Sequence, residues 1–130
     1  MSWVSVFAGF LVAHMVGDYL LQTDWQARHK RGGLTDPVAR RALITHVATY
    51  TLAFVPAFVW IGAELDVSWA VVAALLVFIP HLIVDDGRVV RVYLSRVKHV
   101  EGFDVSLAAS VDQSFHVLSL WLVALLMGAA

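Results

Sequence analysis

Histidine and aspartate residues recur four positions apart in three apolar stretches of the sequence. The pairs, followed by a lone histidine in a fourth stretch, are His14 with Asp18, His81 with Asp85, Asp112 with His116, and His46. A spacing of four places both side chains of a pair on one face of an α-helix. Ionisable residues are costly within apolar segments, so they usually face the interior of a bundle and carry function.

Imidazole and carboxylate groups together suit Zn, Fe, Mn or Ni better than Mg or Ca. The sequence therefore predicts a divalent transition-metal site, zinc first, with ligands among His14, Asp18, His46, His81, Asp85, Asp112 and His116. Seven candidates exceed one tetrahedral shell, so either two ions bind or some carboxylates orient ligand histidines from outside. A carboxylate left free, Asp85 or Asp112, would act as general base towards a metal-bound water.

The apolar stretches that carry these residues are long enough to cross a membrane. The chain is 60% hydrophobic and 15% charged, whereas soluble domains are about 45–50% apolar and about 25% charged. A membrane helix needs roughly 20 apolar residues, and four segments fit, at about 2–21, 41–61, 67–85 and 110–127. We therefore predict an all-α, integral membrane four-helix bundle that forms one transmembrane domain over residues 1–130.

Basic residues are confined to two of the three connections. The connections 22–40 and 86–109, with Arg41 at the edge of the first, hold all 9 lysines and arginines. The second connection holds Glu64 and Asp66, and neither terminus has a basic side chain. The positive-inside rule then predicts that the two basic connections are cytoplasmic and that both termini lie outside.

This topology brings the seven candidate residues to one depth. The first and third segments run towards the cytoplasm, and each carries its His/Asp pair near its end. The second and fourth segments run outward, and His46 and the pair Asp112 with His116 lie near their beginnings. All seven therefore fall in the cytoplasmic third of the membrane. A lone histidine or a single pair can be a structural clasp between helices, but three pairs at one depth favour a metal site.

Residues beside the pairs have lesser predicted roles. Gln113 is adjacent to Asp112 and is expected on another face of its helix, and Asp86 is expected to face the cytoplasmic water. Arg88 and Arg91 lie close to the predicted site. Their simplest interpretation is that they set the topology and contact anionic lipid headgroups, and the alternative is that they grip a substrate phosphate.

Composition excludes several other kinds of protein. The chain has no cysteine, so disulfides, thiolate metal sites and cysteine nucleophiles are excluded. Its net charge of -1 offers no overall basic excess for nucleic acid. The expected partners are membrane lipids, and a bundle of four short helices is compatible with a homodimer.

Four motifs, in order, resemble those of a known family. They are AHMVGDYLLQTDW at 13–25, His46, HLIVD at 81–85, and DQSFH at 112–116. They look like the polar motifs of a bacterial family of small integral membrane proteins, the three-three-zero-seven domain of unknown function, across nearly the whole chain. This resemblance implies a multi-pass protein of the bacterial inner membrane. A more distant similarity, to bacterial membrane-bound metal-dependent hydrolases, implies a hydrolase.

The function that these observations favour is a metal-dependent membrane hydrolase that acts near headgroup level on a lipid or lipid-linked phosphate. A proton or metal-ion transporter would use the same residues as a relay, but the outer halves of the segments are nearly all apolar. A haem-binding redox protein would use the histidines as axial ligands and leave the aspartates unexplained. A structural or partner-binding subunit also remains open.

Overall fold

The computed structural model describes residues 1–102 and 104–130. The described residues form helices and turns with no β-strand, which confirms the predicted all-α class. A π-helical turn, Val16–Leu21, follows the first α-helix directly. The α-helices are α1 Trp3–Met15, α2 Asp24–His29, α3 Pro37–Ala53, α4 Val55–Glu64, α5 Val67–Asp85, α6 Arg88–Arg96 and α7 Val105–Ala129.

Three helical segments are long and apolar enough to cross a membrane, which indicates a membrane protein. They are α5, α7 and Trp3–Leu21, which joins α1 to the π-helical turn. The pair α3 and α4 passes the same test together but is bent by 49° at its junction, so it adds a fourth crossing if the pair is one span. The predicted fourth segment begins earlier than expected, at Val105 rather than at 110.

The predicted second segment, 41–61, is two helices because of Pro56. This proline lies in the first turn of α4 and has no N–H to donate to the carbonyl of Leu52. The N–H of Phe54 instead donates to the carbonyl of Thr51 at 3.1 Å, a tighter turn that ends α3. By contrast, α5 continues as one helix through Pro80.

The two basic connections are themselves partly helical. α2 begins with a capping box, in which Gln26 N–H donates to Thr23 Oγ1 and Thr23 N–H donates to Gln26 Oε1. α6 begins after Gly87, whose φ of 83° lies in the left-handed region that glycine adopts without strain. This turn lets the chain fold back, and Val90 and Leu94 of α6 are buried.

The long helices close into a ring. α1 packs on α7, α7 on α5, α5 on α3, and α3 on the π-helical turn. Two apolar clusters fill the ring. The proximal cluster, beside the basic connections, is Val84, Val90, Leu94, Ala108 and Val111. The distal cluster, towards the opposite helix ends, is Val6, Phe10, Ala13, Tyr50, Phe54, Ile61, Ala73, Val77, Leu120, Val123, Ala124 and Met127.

Candidate metal centre

The structure brings all seven predicted residues together between the two apolar clusters, and we call them the His/Asp cluster. Each long helix of the ring or the π-helical turn supplies at least one of them. All except Asp112 are buried, and the side chain of Asp112 is 17% exposed. Buried polar groups in such apolar surroundings need partners within the protein. The members are His14, Asp18, His46, His81, Asp85, Asp112 and His116.

Two imidazole nitrogens and two carboxylate oxygens of the cluster lie close together. His46 Nε2 lies 3.1 Å from His81 Nε2, and Asp85 Oδ2 lies 3.0 and 3.1 Å from these two nitrogens. Asp18 Oδ1 lies 3.3 Å from His46 Nε2 and 3.5 Å from His81 Nε2. Asp18 Oδ1 is buried and makes no hydrogen bond to any described residue. We call these four atoms the first position.

A second group of atoms lies on the other side of Asp85. His116 Nε2 is 3.2 Å from Asp85 Oδ1 and 3.5 Å from Asp112 Oδ2. The two carboxylate oxygens of Asp85 therefore face different neighbours, so this side chain is shared between the first position and this second position. Potential ligand atoms of Asp18, His81 and His116 also lie within 4.8 Å of one another.

His14 lies beside the cluster in a chain of hydrogen bonds. The Tyr50 hydroxyl donates to His14 Nδ1 at 3.0 Å, and His14 Nε2 donates to Gln113 Oε1 at 2.9 Å. Gln113 Nε2 then donates to Asp18 Oδ2 at 3.3 Å. Both ring nitrogens of His14 are thus engaged, and the chain orients Asp18 so that its other oxygen faces the first position. Gln113 was expected on another face of α7, and this prediction is wrong.

Lys30 is the principal member of the site that sequence reasoning missed. Its Nζ donates to Asp85 Oδ2 at 2.8 Å, and only 13% of the lysine side chain is exposed. The ammonium therefore lies on the oxygen that also faces His46 and His81. Gln22 adds a further contact, because its Nε2 lies 3.0 Å from His46 Nε2.

The segment that carries Lys30 is fastened to the end of α5. Asp86 was expected to face water, but it is 3% exposed, so this prediction is wrong. Its carboxylate accepts the N–H of Leu34 and its carbonyl accepts the N–H of Gly32, both at 2.9 Å. Arg88 Nε lies 3.0 Å from the same carboxylate, so Arg88 is engaged away from the cluster.

Spacing along the helices could have identified three of the missed residues. Tyr50 lies four residues after His46, Gln22 lies four after Asp18, and Gln113 lies three before His116. Such spacings share a helical face with the residues already chosen. Lys30 gave no comparable signal, because it follows a short helix in a connection and reaches the cluster only through the tertiary fold.

We expect Gly17→Ala to destabilise the protein by about 1–3 kcal/mol, the usual cost of overpacking. A Cβ at Gly17 would lie 2.5 Å from Tyr50 Cδ2, and the ring of Tyr50 stacks on His81 with centroids 3.5 Å apart. The measurement is the thermal unfolding midpoint in detergent. Gly9→Ala is the matched control on α1, because beyond its chain neighbours and its own helix backbone no heavy atom lies within 4 Å of its added Cβ. Equal midpoints for the two variants would contradict the expectation.

Comparison with known proteins gives a family but no activity. No curated protein and no solved structure gives a significant match to this chain. The model of one family, described as "Protein of unknown function (DUF3307)", matches residues 6–130, a range that contains every member of the His/Asp cluster. The chain therefore belongs to DUF3307, a family of proteins of unknown function.

Proposed function

We propose that the His/Asp cluster holds a divalent transition metal and that the protein is a metal-dependent membrane hydrolase. The observation that carries this proposal is the geometry of the first position. Ligand atoms about 2.0–2.2 Å from a tetrahedral zinc ion lie about 3.3–3.6 Å from one another. His46 Nε2, His81 Nε2 and Asp85 Oδ2 lie 3.0–3.1 Å from one another, and Asp18 Oδ1 lies 3.3 and 3.5 Å from the two nitrogens, close to those edges.

The chemistry of the donors supports zinc first and iron or manganese as alternatives. Two imidazoles with two carboxylates suit these ions better than magnesium or calcium. Asp18 Oδ1 is a buried carboxylate oxygen without a hydrogen bond among the described residues, which is the kind of atom that a cation would satisfy. His14 then acts as an orienting residue through Gln113 rather than as a ligand.

One or two ions are compatible with this cluster, and the number decides the role of Asp112. With one ion at the first position, Asp112 stays free as a general base next to His116. With two ions, Asp85 would help to hold both, and Asp112 and His116 would help to hold the second. A bound metal would supply a water of lowered pKa. Asp112, the most exposed member of the cluster, lies where water and substrate reach the site.

The proposed setting is a four-helix bundle in one transmembrane domain of a bacterial inner membrane. Counting α3 and α4 as one bent span gives four crossings. The connections with α2 and α6 then lie in the cytoplasm with both termini outside, and the cluster lies near headgroup level. A lipid or lipid-linked phosphate is the substrate that this depth favours. We also propose that the protein contacts membrane lipids, that two copies of it pair, and that it does not bind nucleic acid.

Two features favour hydrolysis over the alternatives. Packed aromatic rings of the distal cluster, Phe10 and Phe54 with Phe58 beside them, lie beyond the His/Asp cluster and offer no polar route for a transported ion. Haem ligation by two histidines needs nitrogens about 4 Å apart, twice a metal–nitrogen distance of about 2.0 Å. His46 Nε2 and His81 Nε2 are 3.1 Å apart with a carboxylate against both.

The first test is elemental analysis of the protein purified in detergent without chelator, beside a His46→Gln, His81→Gln double variant. We expect about one or two zinc ions per wild-type chain and a near-complete loss in the double variant, because half of the first position is removed. His29→Gln is the control, since His29 is exposed and bonds only its own helix. Phosphate release from phosphatidic acid should follow the metal content. A metal-free wild type that stays empty after reloading would sink the proposal.

A further inference from the structure

The His/Asp cluster is least buried at Asp112. A cavity of about 40 Å³ lies there, lined by Asp112, Gly87, Val90, Arg31 and Arg91. A water molecule needs roughly 10–15 Å³ of such space, so about three fit. The terminal oxygens of one phosphoryl group need similar room. The cavity is therefore large enough for a small anionic group that touches the edge of the second position.

The other walls of this cavity are basic. Arg31, from the segment after α2, and Arg91, from α6, both line it together with Gly87. A Cβ on Gly87 would lie 3.5 Å from Arg31 Cγ, so the glycine and the arginine stem are in near contact. The planar guanidinium group matches a phosphate oxygen pair, and arginine is preferred wherever phosphate is recognised in this way.

The helix that carries Arg91 adds to the positive potential. α6 has nine residues, and its amino end, at Gly87 and Val90, is part of the cavity wall. No side chain caps this end, whereas Thr23, Asp36, Asp66 and Asp104 cap the amino ends of other helices. Amide groups and the helix dipole at such an end favour an anion. This feature only supports the inference, which rests on the two arginines and the cavity beside Asp112.

We propose that this cavity is the phosphoryl-binding subsite of the His/Asp cluster, so that the substrate is a phosphate ester. The inference rests on the proposed function. In the reaction, a water oxygen bonds to phosphorus and gives its proton to a carboxylate of the cluster, while the bond to the ester oxygen breaks. The leaving alkoxide then takes up that proton from the carboxylate. Arg31 and Arg91 hold the phosphoryl oxygens throughout.

Because of Asp112, phosphate binding in this cavity should depend on whether the metal is bound. Its carboxylate lines the same cavity and repels an anion. A metal ion next to His116 or Asp85 offsets that charge. Phosphate should therefore bind more tightly to the metal-loaded protein than to the metal-free protein, and Asp112→Asn should strengthen phosphate binding to the metal-free form.

The test is equilibrium dialysis of inorganic phosphate against the full chain in detergent. Arg91→Met should weaken phosphate binding at least about tenfold and leave the metal content unchanged, because Arg91 is exposed and contacts no ligand atom of either position in the described residues. Arg96→Met, an exposed arginine on the same helix, should leave both unchanged. Equal phosphate affinity in wild type and Arg91→Met, with metal intact, would overturn the subsite.

Competition separates the two sources of a phosphate ester. Short-chain phosphatidic acid and glycerol 3-phosphate are each used to displace bound phosphate. Displacement by the lipid alone supports a membrane substrate, equal displacement supports a soluble ester, and displacement by neither overturns the substrate class. If the wild type carries no metal, the proposed function fails separately. The subsite is then judged by the effect of Arg91→Met in an Asp112→Asn background, where unchanged phosphate affinity overturns it.

Discussion

Asp85→Asn is expected to lower the zinc affinity of the protein at least about 100-fold, more than the loss of a residue that only orients a ligand. One carboxylate oxygen of Asp85 faces His46, His81 and Lys30, and the other faces His116. The asparagine amide replaces one of these oxygens by a nitrogen that donates hydrogen bonds and binds no cation. One of the two metal positions therefore loses a ligand atom, and both lose the negative charge of the shared carboxylate.

Zinc titration with a competing chromogenic chelator measures this effect in detergent. Asp24→Asn is the matched control, because Asp24 is exposed, pairs with Arg28 on α2 and lies outside the His/Asp cluster. Circular dichroism should show the same helix content in all three proteins. If Asp85→Asn bound zinc as tightly as wild type, Asp85 would not be a ligand and the bridging arrangement would be wrong.

Lys30→Met is expected to have two effects of opposite direction. The affinity for zinc should rise about tenfold or more, because the Lys30 ammonium bonds the Asp85 oxygen that the metal needs and repels a second cation. Without metal, the variant should be less stable by about 3 kcal/mol, since removing one partner of a buried ion pair leaves the other charge uncompensated. Methionine keeps the length and the apolar character of the lysine stem.

Two measurements on the same variant test this pair of effects. Zinc titration gives the affinity, and thermal unfolding of the chelator-treated protein gives the stability of the metal-free form. Arg28→Met is the control, because it removes a cation in an exposed ion pair from the short helix that precedes Lys30. Such exposed pairs contribute about 0–1 kcal/mol. Zinc affinity that stays at the wild-type value in Lys30→Met would show that the ammonium and the metal do not compete.

The long helices and most of the cluster could be predicted because both depend on local spacing. Hydropathy identified 2–21 and 67–85 to within one residue of the helical segments. A separation of four placed His81 and Asp85 on one face of α5, where they lie 3.1 Å apart. The side chains of the pairs in the first and third predicted segments point to the same interior, as the cost of charge within apolar segments predicts.

The remaining features depend on contacts that spacing does not encode. The π-helical turn changes the helical register at Asp18, and Gly17 lets Tyr50 approach there. The basic connections were interpreted only through their charge, whereas Asp86 fastens the first of them by accepting the N–H of Leu34. That attachment carries Lys30 to Asp85, over a separation of 55 residues in sequence. A pattern of hydrophobic residues cannot indicate such a contact.

The distal apolar cluster has an electrical consequence for the proposed reaction. An elementary charge that crosses a membrane potential of 100 mV changes its energy by about 2.3 kcal/mol. The packed rings of Phe10 and Phe54 lie in the distal cluster, so in the proposed setting protons and anions would reach the His/Asp cluster from the side of the basic connections. Charges taken up and released there would traverse little of the field, so the proposed turnover would neither draw on a membrane voltage nor dissipate it.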